Sequence, residues 1–315
     1  MHVYHWDLDR TYLDTDIHSV RGMVRAAFEH ASSKRNIPGA AALLRGLIEK
    51  DPTCRVSIIS GSPRQMRDVL SEKLALDGVR FDSLVLKDSL HHLRRGRFRA
   101  IKGQIGYKLP QLLKTRVGFG KGVRESLFGD DTEVDALVYA LYAEAVAGRV
   151  AREEVARIME AGGAYSDSIE SALRSLRRIG RADAVEDIFI HAERGLPLTR
   201  YRLLGPRVVP VFSWFQAALV LWKRRRLEAR AVVGVANECM TGARLNETAL
   251  ASLVQDLVRR RRLEEEDVER LLEAATGLAP VAPAVRGMLR RLGPLPEAPT
   301  YADPPDFLAF LRVAE

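Results

Sequence analysis

The segment that decides the fold is residues 2–11, which read His-Val-Tyr-His-Trp-Asp-Leu-Asp-Arg-Thr. Its first half is aromatic and prone to form a strand, whereas its second half is abruptly acidic. In parallel α/β sheets, ligands bind where the carboxyl ends of the strands meet. We therefore predict that Asp7 and Asp9 follow a buried strand and lie in a functional site.

The same alternation of strand and polar turn continues along the chain. Further strands are predicted at Arg55–Ser60, Phe81–Leu86, Glu125–Phe128 and Asp187–His191. Helical spacing of apolar residues separates them, at residues 19–30, 39–50, 64–76, 107–114, 132–148, 152–161 and 166–178. Strands that alternate with helices predict an α/β fold with a parallel sheet flanked by helices.

Polar clusters stand at the ends of these predicted strands. They comprise Asp7, Asp9 and Thr11; Ser60 and Ser62; the region of Lys108; and Asp130, Asp131 and Asp135. Because the carboxyl ends of parallel strands meet at one edge, we expect these clusters to form one site.

Length and pattern predict two domains. We place a catalytic α/β domain at residues 1–204 and a helical carboxy-terminal domain of unknown role at residues 205–315. The apolar stretch Val208–Trp222 is too short and too interrupted to span a bilayer, and we interpret it as a buried helix.

The net charge of +8 is concentrated in one band. Residues 87–124 contain eleven Lys or Arg and a single acidic residue, Asp88, so the rest of the chain is slightly acidic. This basic band favours an anionic partner. A phosphorylated lipid, a nucleic-acid end and a phosphoprotein all meet that description.

Two cysteines exclude a disulfide framework, and no signal-peptide pattern is visible, so we expect a reducing, cytoplasmic location. The run Lys223–Arg226 follows an apolar segment, and we weighed it both as a contact with an anionic membrane and as a solvated helix end.

The carboxylates suit phosphoryl transfer. Phosphate oxygens need a cation to neutralise them, and Mg²⁺ prefers hard oxygen ligands. Asp7 could serve as both ligand and nucleophile, and Asp130 would complete the metal site. Asp9 could protonate the leaving oxygen and then activate water. A Ser hydroxyl and a Lys ammonium would hold the transferring group.

The chain resembles the haloacid dehalogenase (HAD) superfamily in four motifs that occur in the family's order. Residues 5–11 resemble motif I, a strand followed by DxDxT, and residues 56–60 resemble motif II, a strand that ends in Ser or Thr. Tyr107-Lys108-Leu109 resembles the motif III lysine, with Lys102 as its rival, and residues 127–135 resemble motif IV, GDDxxxD.

A narrower resemblance is to the catalytic domain of App1-like phosphatidate phosphatases. It rests on Ser60-Gly-Ser62-Pro63, on residues 84–88, on Lys108, and on the acidic motif followed by Tyr139. The sequence departs from that group at Asp131, where Ser is common, and at Arg64, where Trp is common.

The resemblance implies a role for each matching residue. Asp7 becomes the nucleophile and Asp9 the acid–base, while Ser60 and Lys108 hold phosphate. Asp7, the backbone carbonyl of Asp9, and Asp130 become Mg²⁺ ligands, with Asp131 and Asp135 in or behind that shell. To these we add substrate-binding roles for three further residues: Thr11, Ser62 and Lys87.

The function predicted on these grounds is a Mg²⁺-dependent phosphatase that acts through an aspartyl-phosphate on Asp7, with a phosphatidate-like substrate. The alternatives are a polynucleotide phosphatase, a phosphoprotein phosphatase, and a non-catalytic scaffold or lipid-binding module. The resemblance implies a HAD-like Rossmannoid domain, and the short connections between motif I, motif II and Lys108 predict a small cap or none and an open site. The oligomeric state stays open.

Overall fold

The structure is a computed structural model that describes residues 1–15, 30–87, 104–132 and 134–312. One six-stranded sheet runs through it in the order β3-β2-β1-β4-β5-β6, with every strand parallel. The strands are β1 His2–Trp6, β2 Arg55–Pro63, β3 Ser83–Lys87, β4 Arg124–Asp130, β5 Val185–His191 and β6 Val208–Val211.

Helices connect and follow the strands in the described part of the chain. They are α1 Ala40–Lys50, α2 Arg67–Leu76, α3 Ile105–Arg116, α4 Asp135–Ala147, α5 Arg152–Ala161, α6 Ser166–Arg178, α7 Leu198–Tyr201, α8 Trp214–Lys223, α9 Ala229–Gly242, α10 Glu247–Arg259, α11 Glu265–Ala274, α12 Ala282–Arg290 and α13 Phe307–Arg312. Short 3₁₀ turns occupy Ala31–Ser33, Arg64–Met66, Arg202–Leu204 and Thr276–Leu278.

The first strand lies in the middle of the sheet, and all five of its residues are buried. It pairs in parallel with β2 on one side and with β4 on the other. The ring of Trp6 stacks on that of Phe128 with 4.2 Å between the ring centroids, and Phe128 stacks in turn near Phe189. Because β1 is central, the residues that follow it have neighbouring strand ends on both sides.

The second strand is irregular where its polar residues begin. Its pairing with β3 shifts register between Ser60 and Pro63, which marks a bulge. Ser60 and Ser62 are two residues apart and both are buried, as expected for side chains on one face of an extended segment. The bulge therefore presents two hydroxyls at the carboxyl end of this strand.

Helix α4 packs within the apolar core. It is buried on nearly all sides, with Leu137, Val138, Leu141 and Tyr142 fully inaccessible to solvent. A helix that is apolar all round is typical of a protein interior, and here it fixes Asp135 at its first position.

Residue contacts divide the chain into two compact units. Unit 1 comprises Met1–Arg35, Cys54–Pro210 and Tyr301–Glu315, and unit 2 comprises Asn36–Thr53 and Val211–Thr300. Unit 1 holds the sheet and all the predicted site residues. The predicted division of the chain at residue 204 stays a prediction.

The predicted parallel α/β fold is confirmed. Strands and helices fall close to the predicted segments, but the single helix predicted over residues 208–222 was wrong. Val208–Val211 form the edge strand β6, and the helix starts only at Trp214. Valine-rich sequence favours a strand, and the Ser213 side chain accepts a hydrogen bond from the Phe215 backbone to cap the helix. The helix predicted at residues 19–30 lies almost wholly outside the described residues.

Unit 2 repeats one helix–turn–helix connection. The turns read Lys-Arg-Arg-Arg-Leu-Glu at residues 223–228 and Arg-Arg-Arg-Arg-Leu-Glu at residues 259–264. Arg225 and Arg261 occupy equivalent positions and both have φ of 59°. Leu227 and Leu263 are both buried, so each turn ends on a leucine anchored in the core. Within the described segments, no helix combines the length and the apolar character needed to cross a bilayer.

Candidate active site

Three aspartates meet at the carboxyl edge of the sheet. Asp7 follows β1, Asp130 is the last residue of β4, and Asp135 is the first residue of α4. One carboxylate oxygen from each lies within 4.8 Å of the others, and all three residues are buried. We call these three residues, together with Lys108, the acidic centre.

Lys108 brings a positive charge into this centre. It lies in the first turns of α3, and its Nζ lies 2.9 Å from Asp7 Oδ1 and 2.5 Å from Asp135 Oδ1. The side chains of all three are at most 2% exposed. Among the described residues of the acidic centre, one ammonium thus faces three carboxylates. The three carboxylates lie close enough together to hold one metal ion between them.

Two threonine hydroxyls hold the carboxylates in place. Thr11 Oγ1 lies 3.3 Å from Asp7 Oδ2 and 3.2 Å from Asp130 Oδ2, so it can donate to either. The Thr132 backbone N–H donates to Asp130 Oδ1 over 2.6 Å, and the Thr132 hydroxyl contacts the same oxygen. Thr11 was predicted to bind substrate, and the structure places its hydroxyl between the two carboxylates.

Asp9 belongs to a second group of polar side chains on the β2 side. Its Oδ2 accepts hydrogen bonds from Ser60 Oγ over 2.9 Å and from Ser62 Oγ over 2.7 Å. Its Oδ1 accepts from Thr15 over 3.1 Å. We call Asp9, Ser60 and Ser62 the Asp9 cluster. The structure therefore directs the two aspartates of the opening motif to different neighbours.

Two glycines let these groups approach the backbone closely. A Cβ on Gly129 would lie 2.5 Å from Asp135 Oδ2 and 2.8 Å from Tyr139. A Cβ on Gly61 would lie 2.7 Å from the Gln104 side chain. Any larger residue at 129 would displace Asp135 from the acidic centre, which explains the glycine before the paired aspartates.

Asp131 is not brought into the group of three aspartates. Its Oδ1 accepts hydrogen bonds from the backbone N–H groups of Glu193 and Arg194, each over 2.9 Å. Its Oδ2 accepts from the Tyr201 hydroxyl over 3.0 Å. The carboxylate thus fastens the loop after β5 to the end of β4. The sequence carried no signal for this contact, because its partners lie about sixty residues away.

Lys87 and Tyr107 lie together near the acidic centre. Lys87, which was predicted to bind substrate, is 2% exposed, and its Nζ lies 5.6 Å from the centroid of the Tyr107 ring. Burial raises the pKa of the Tyr107 hydroxyl well above its usual range, Lys108 and Arg64 lower it, and Asp7 raises it further. Sequence reasoning missed Tyr107 as a site residue, although it adjoins the motif III lysine.

A basic cavity of about 610 Å³ adjoins β3. Its walls include Arg64, Arg67 and Lys114 together with the aliphatic residues 84–86. Arg67 donates a hydrogen bond to the backbone oxygen of Leu84 over 2.7 Å. The cavity thus combines positive charge with apolar surface. Residues 88–103 of the predicted basic band, which include Lys102, lie outside the described residues.

A second buried ionic group lies in the same unit. Glu125 Oε1 accepts from Arg116 over 2.7 Å, while Oε2 lies 2.8 Å from His5 Nε2 and accepts from Tyr142 over 2.6 Å. We call these four residues the Glu125 cluster. Burial raises the pKa of the Glu125 carboxyl, but the contacts with His5, Tyr142 and Arg116 outweigh burial and hold that pKa below its usual value.

A buried acidic centre at the carboxyl edge of a parallel sheet is typical of enzymes that bind phosphate groups with a cation. Residues 6–153, slightly less than half of the chain, match the family model described as phosphatidate phosphatase APP1, catalytic domain. That match implies phosphatase activity, with phosphatidate as the substrate that the family description names. No curated protein and no solved structure matched the chain.

Proposed function

We propose that the chain is a Mg²⁺-dependent, HAD-type phosphatase that hydrolyses a phosphatidate-like monoester through an aspartyl-phosphate on Asp7. The observation that supports it most directly is the buried acidic centre, in which three carboxylates face one ammonium within a domain of the APP1 family.

The donor set fits a hard divalent cation. Carboxylate oxygens of Asp7 and Asp130, together with the backbone carbonyl of Asp9, would hold the ion, with Asp135 close by. Bound Mg²⁺ supplies positive charge to the phosphoryl oxygens. The close grouping of three buried carboxylate oxygens, within 4.8 Å of one another, supports this assignment, because a hard cation takes several oxygen ligands at once.

The chain's own residues account for the remaining chemistry. A carboxylate oxygen of Asp7 attacks phosphorus, the bond from phosphorus to the ester oxygen breaks, and Asp9 gives its proton to that leaving oxygen. Asp9 then takes a proton from a water molecule that attacks phosphorus, which releases phosphate and restores the Asp7 carboxylate. In this mechanism water must reach Asp9, whereas Asp7 is sheltered from water. Asp9 is half-buried and Asp7 is buried, as the mechanism requires.

Lys108 and the serines would hold the transferring group. The Lys108 ammonium, 2.9 Å from Asp7, offsets repulsion between the nucleophile and the phosphate. Ser60 and Ser62 now donate to Asp9, and a hydroxyl can rotate its single proton from Asp9 to a phosphoryl oxygen. Such a rotation would release the Asp9 carboxylate for proton transfer.

The basic cavity beside β3 supports an amphipathic anion as substrate. Three cationic side chains suit phosphate and other anionic groups, and the aliphatic wall suits the apolar part of a lipid. Arg64 links this cavity to the acidic centre, because it lies close enough to Tyr107 to lower the pKa of that hydroxyl.

The test is release of phosphate from phosphatidate in mixed micelles, with purified protein, in Mg²⁺ and then in excess chelator. We expect turnover that stops with the chelator and returns on addition of Mg²⁺. A 5′-phosphorylated oligonucleotide and a phosphopeptide serve as matched substrates. Faster turnover of the oligonucleotide or of the phosphopeptide would show that the protein is a phosphatase for that class of substrate. If no monoester is hydrolysed, the protein is a non-catalytic scaffold.

A further inference from the structure

The Tyr107 hydroxyl is a buried polar group that finds no hydrogen-bond partner among the described residues. Its oxygen is inaccessible to solvent, although the residue as a whole is only half-buried. Buried hydroxyls nearly always have a partner, since an unsatisfied one loses its bond to water and gains nothing in return. The burial of this hydroxyl without a partner therefore needs an explanation other than packing.

The surroundings of this hydroxyl belong to the active site. Tyr107 directly precedes Lys108 on α3, and its ring contacts the ammonium of Lys87. The charges of Lys108, Asp7 and Arg64 all act on the Tyr107 hydroxyl. The ring of Tyr107 thus contacts one buried lysine, and the next residue along the helix is the lysine that lies 2.9 Å from Asp7.

A phenol at neutral pH is a hydrogen-bond donor, and phosphate oxygens are strong acceptors. We propose that the Tyr107 hydroxyl binds the phosphate group of the substrate by donating a hydrogen bond to one of its oxygens. This inference rests on the proposed function, and it adds a specific ligand contact to that site. The unfilled donor is then the part of the site that substrate completes.

A purely structural tyrosine gives a different expectation. If Tyr107 acts only through its ring, replacing it by Phe changes neither phosphate binding nor turnover. If its hydroxyl stabilises the fold through a partner, the same replacement lowers the melting temperature. Tyr142→Phe is the matched control, because that hydroxyl is equally buried but donates to Glu125 over 2.6 Å.

The experiment measures binding of inorganic phosphate by calorimetry, in Mg²⁺, to the full chain and to the variants Tyr107→Phe and Tyr142→Phe. We expect Tyr107→Phe to weaken phosphate binding by about 10- to 100-fold, as for loss of a hydrogen bond to a charged group. Its melting temperature should equal or exceed that of the parent. Tyr142→Phe should keep phosphate affinity and melt lower by a few degrees, about 2 °C or more.

Three results would overturn the inference: unchanged phosphate affinity in Tyr107→Phe, a loss of melting temperature as large as in Tyr142→Phe, or no phosphate binding by the parent chain. Turnover of phosphatidate is measured in parallel. A parent that binds phosphate but does not hydrolyse phosphatidate would refute the proposed function alone, since the phosphate contact is judged on affinity.

Discussion

The acidic centre and the Glu125 cluster are built from the same four elements, and they differ in how their charges balance. Each takes one residue from β1 or the turn after it, one from β4, one from α3 and one from α4. In the Glu125 cluster one carboxylate meets one guanidinium, with a histidine and a tyrosine completing its contacts. In the acidic centre three carboxylates meet one ammonium.

On this difference we assign the reaction to the acidic centre and a stabilising role to the Glu125 cluster. The Glu125 cluster pairs its carboxylate with a guanidinium inside the cluster, so breaking that pair should cost stability. In the proposed function, the acidic centre at the carboxyl edge of the sheet takes up a cation and the phosphate group of the substrate. Strength of burial does not separate the two, because the residues of both are almost fully inaccessible. The two groups differ instead in the charges they bring together and in their position along the strands.

The largest expected effect separates the two groups by activity. Asp7→Asn keeps the shape of the side chain but removes the nucleophilic carboxylate, so turnover of phosphatidate should fall by at least about a thousand-fold. Its melting temperature should not fall, since one of three repelling charges is gone. Turnover rates and thermal unfolding of the same preparations measure both. Equal turnover in Asp7→Asn and the parent would remove Asp7 from the mechanism.

The converse change tests the balanced cluster. Glu125→Gln leaves the Arg116 guanidinium buried without its counter-ion, and breaking such a pair costs about 3–5 kcal/mol of the free energy of unfolding. Urea unfolding measures this loss. At temperatures below its own melting temperature, the variant should have the same turnover number as the parent. A stable but inactive Glu125→Gln protein would show that the Glu125 cluster takes part in the reaction.

Metal binding should distinguish the groups through stability. Mg²⁺ at about a hundred times its dissociation constant should stabilise the parent by about 2.7 kcal/mol, because it binds only the folded state. Asp130→Asn should abolish most of this stabilisation, whereas Glu125→Gln should retain it in full. Thermal unfolding with and without Mg²⁺ is the measurement. If Mg²⁺ stabilises Asp130→Asn as much as it stabilises the parent, the ion does not bind at Asp130.

The smallest effect concerns pH. The folded pKa of Glu125 lies below its unfolded value, so its ionised form contributes stability above the unfolded pKa of about 4.5. That contribution is lost as the pH falls through the lower, folded pKa. We therefore expect the urea midpoint of the parent to drop from about pH 5 downward. Glu125→Gln should show a shallower drop, and parallel curves for the two proteins would contradict the assignment.

The fold was predictable because its signals are local. The strand before Asp7, the glycine before Asp130 and the helical spacing after Asp135 each mark an element directly in the sequence. Parallel strands then bring their carboxyl ends together, so the meeting of Asp7 with Asp130 follows from topology. The edge strand β6 was missed because a short apolar run next to a helix has no periodicity of its own.

The fine pairing within the site was not predictable. Ser60 and Ser62 share a face of the strand, but that both hydroxyls donate to Asp9 depends on where the turn after β1 passes, which the sequence does not specify. The contacts of Asp131 depend on where the loop after β5 passes. The sequence could not predict that the Tyr107 hydroxyl is buried without a hydrogen-bond partner, because this depends on which residues pack around it in three dimensions.

Chemical trapping of the intermediate tests the central claim most directly. Acyl phosphates are reduced by borohydride, so protein quenched with borohydride during turnover of phosphatidate should carry homoserine in place of aspartate at residue 7. Mass spectrometry of the peptide containing Asp7 detects the change, and Asp7→Asn serves as the blank. The account predicts homoserine at residue 7 only when Mg²⁺ and substrate are both present. Turnover without any modified residue 7, or with the modification at another carboxylate, would contradict it.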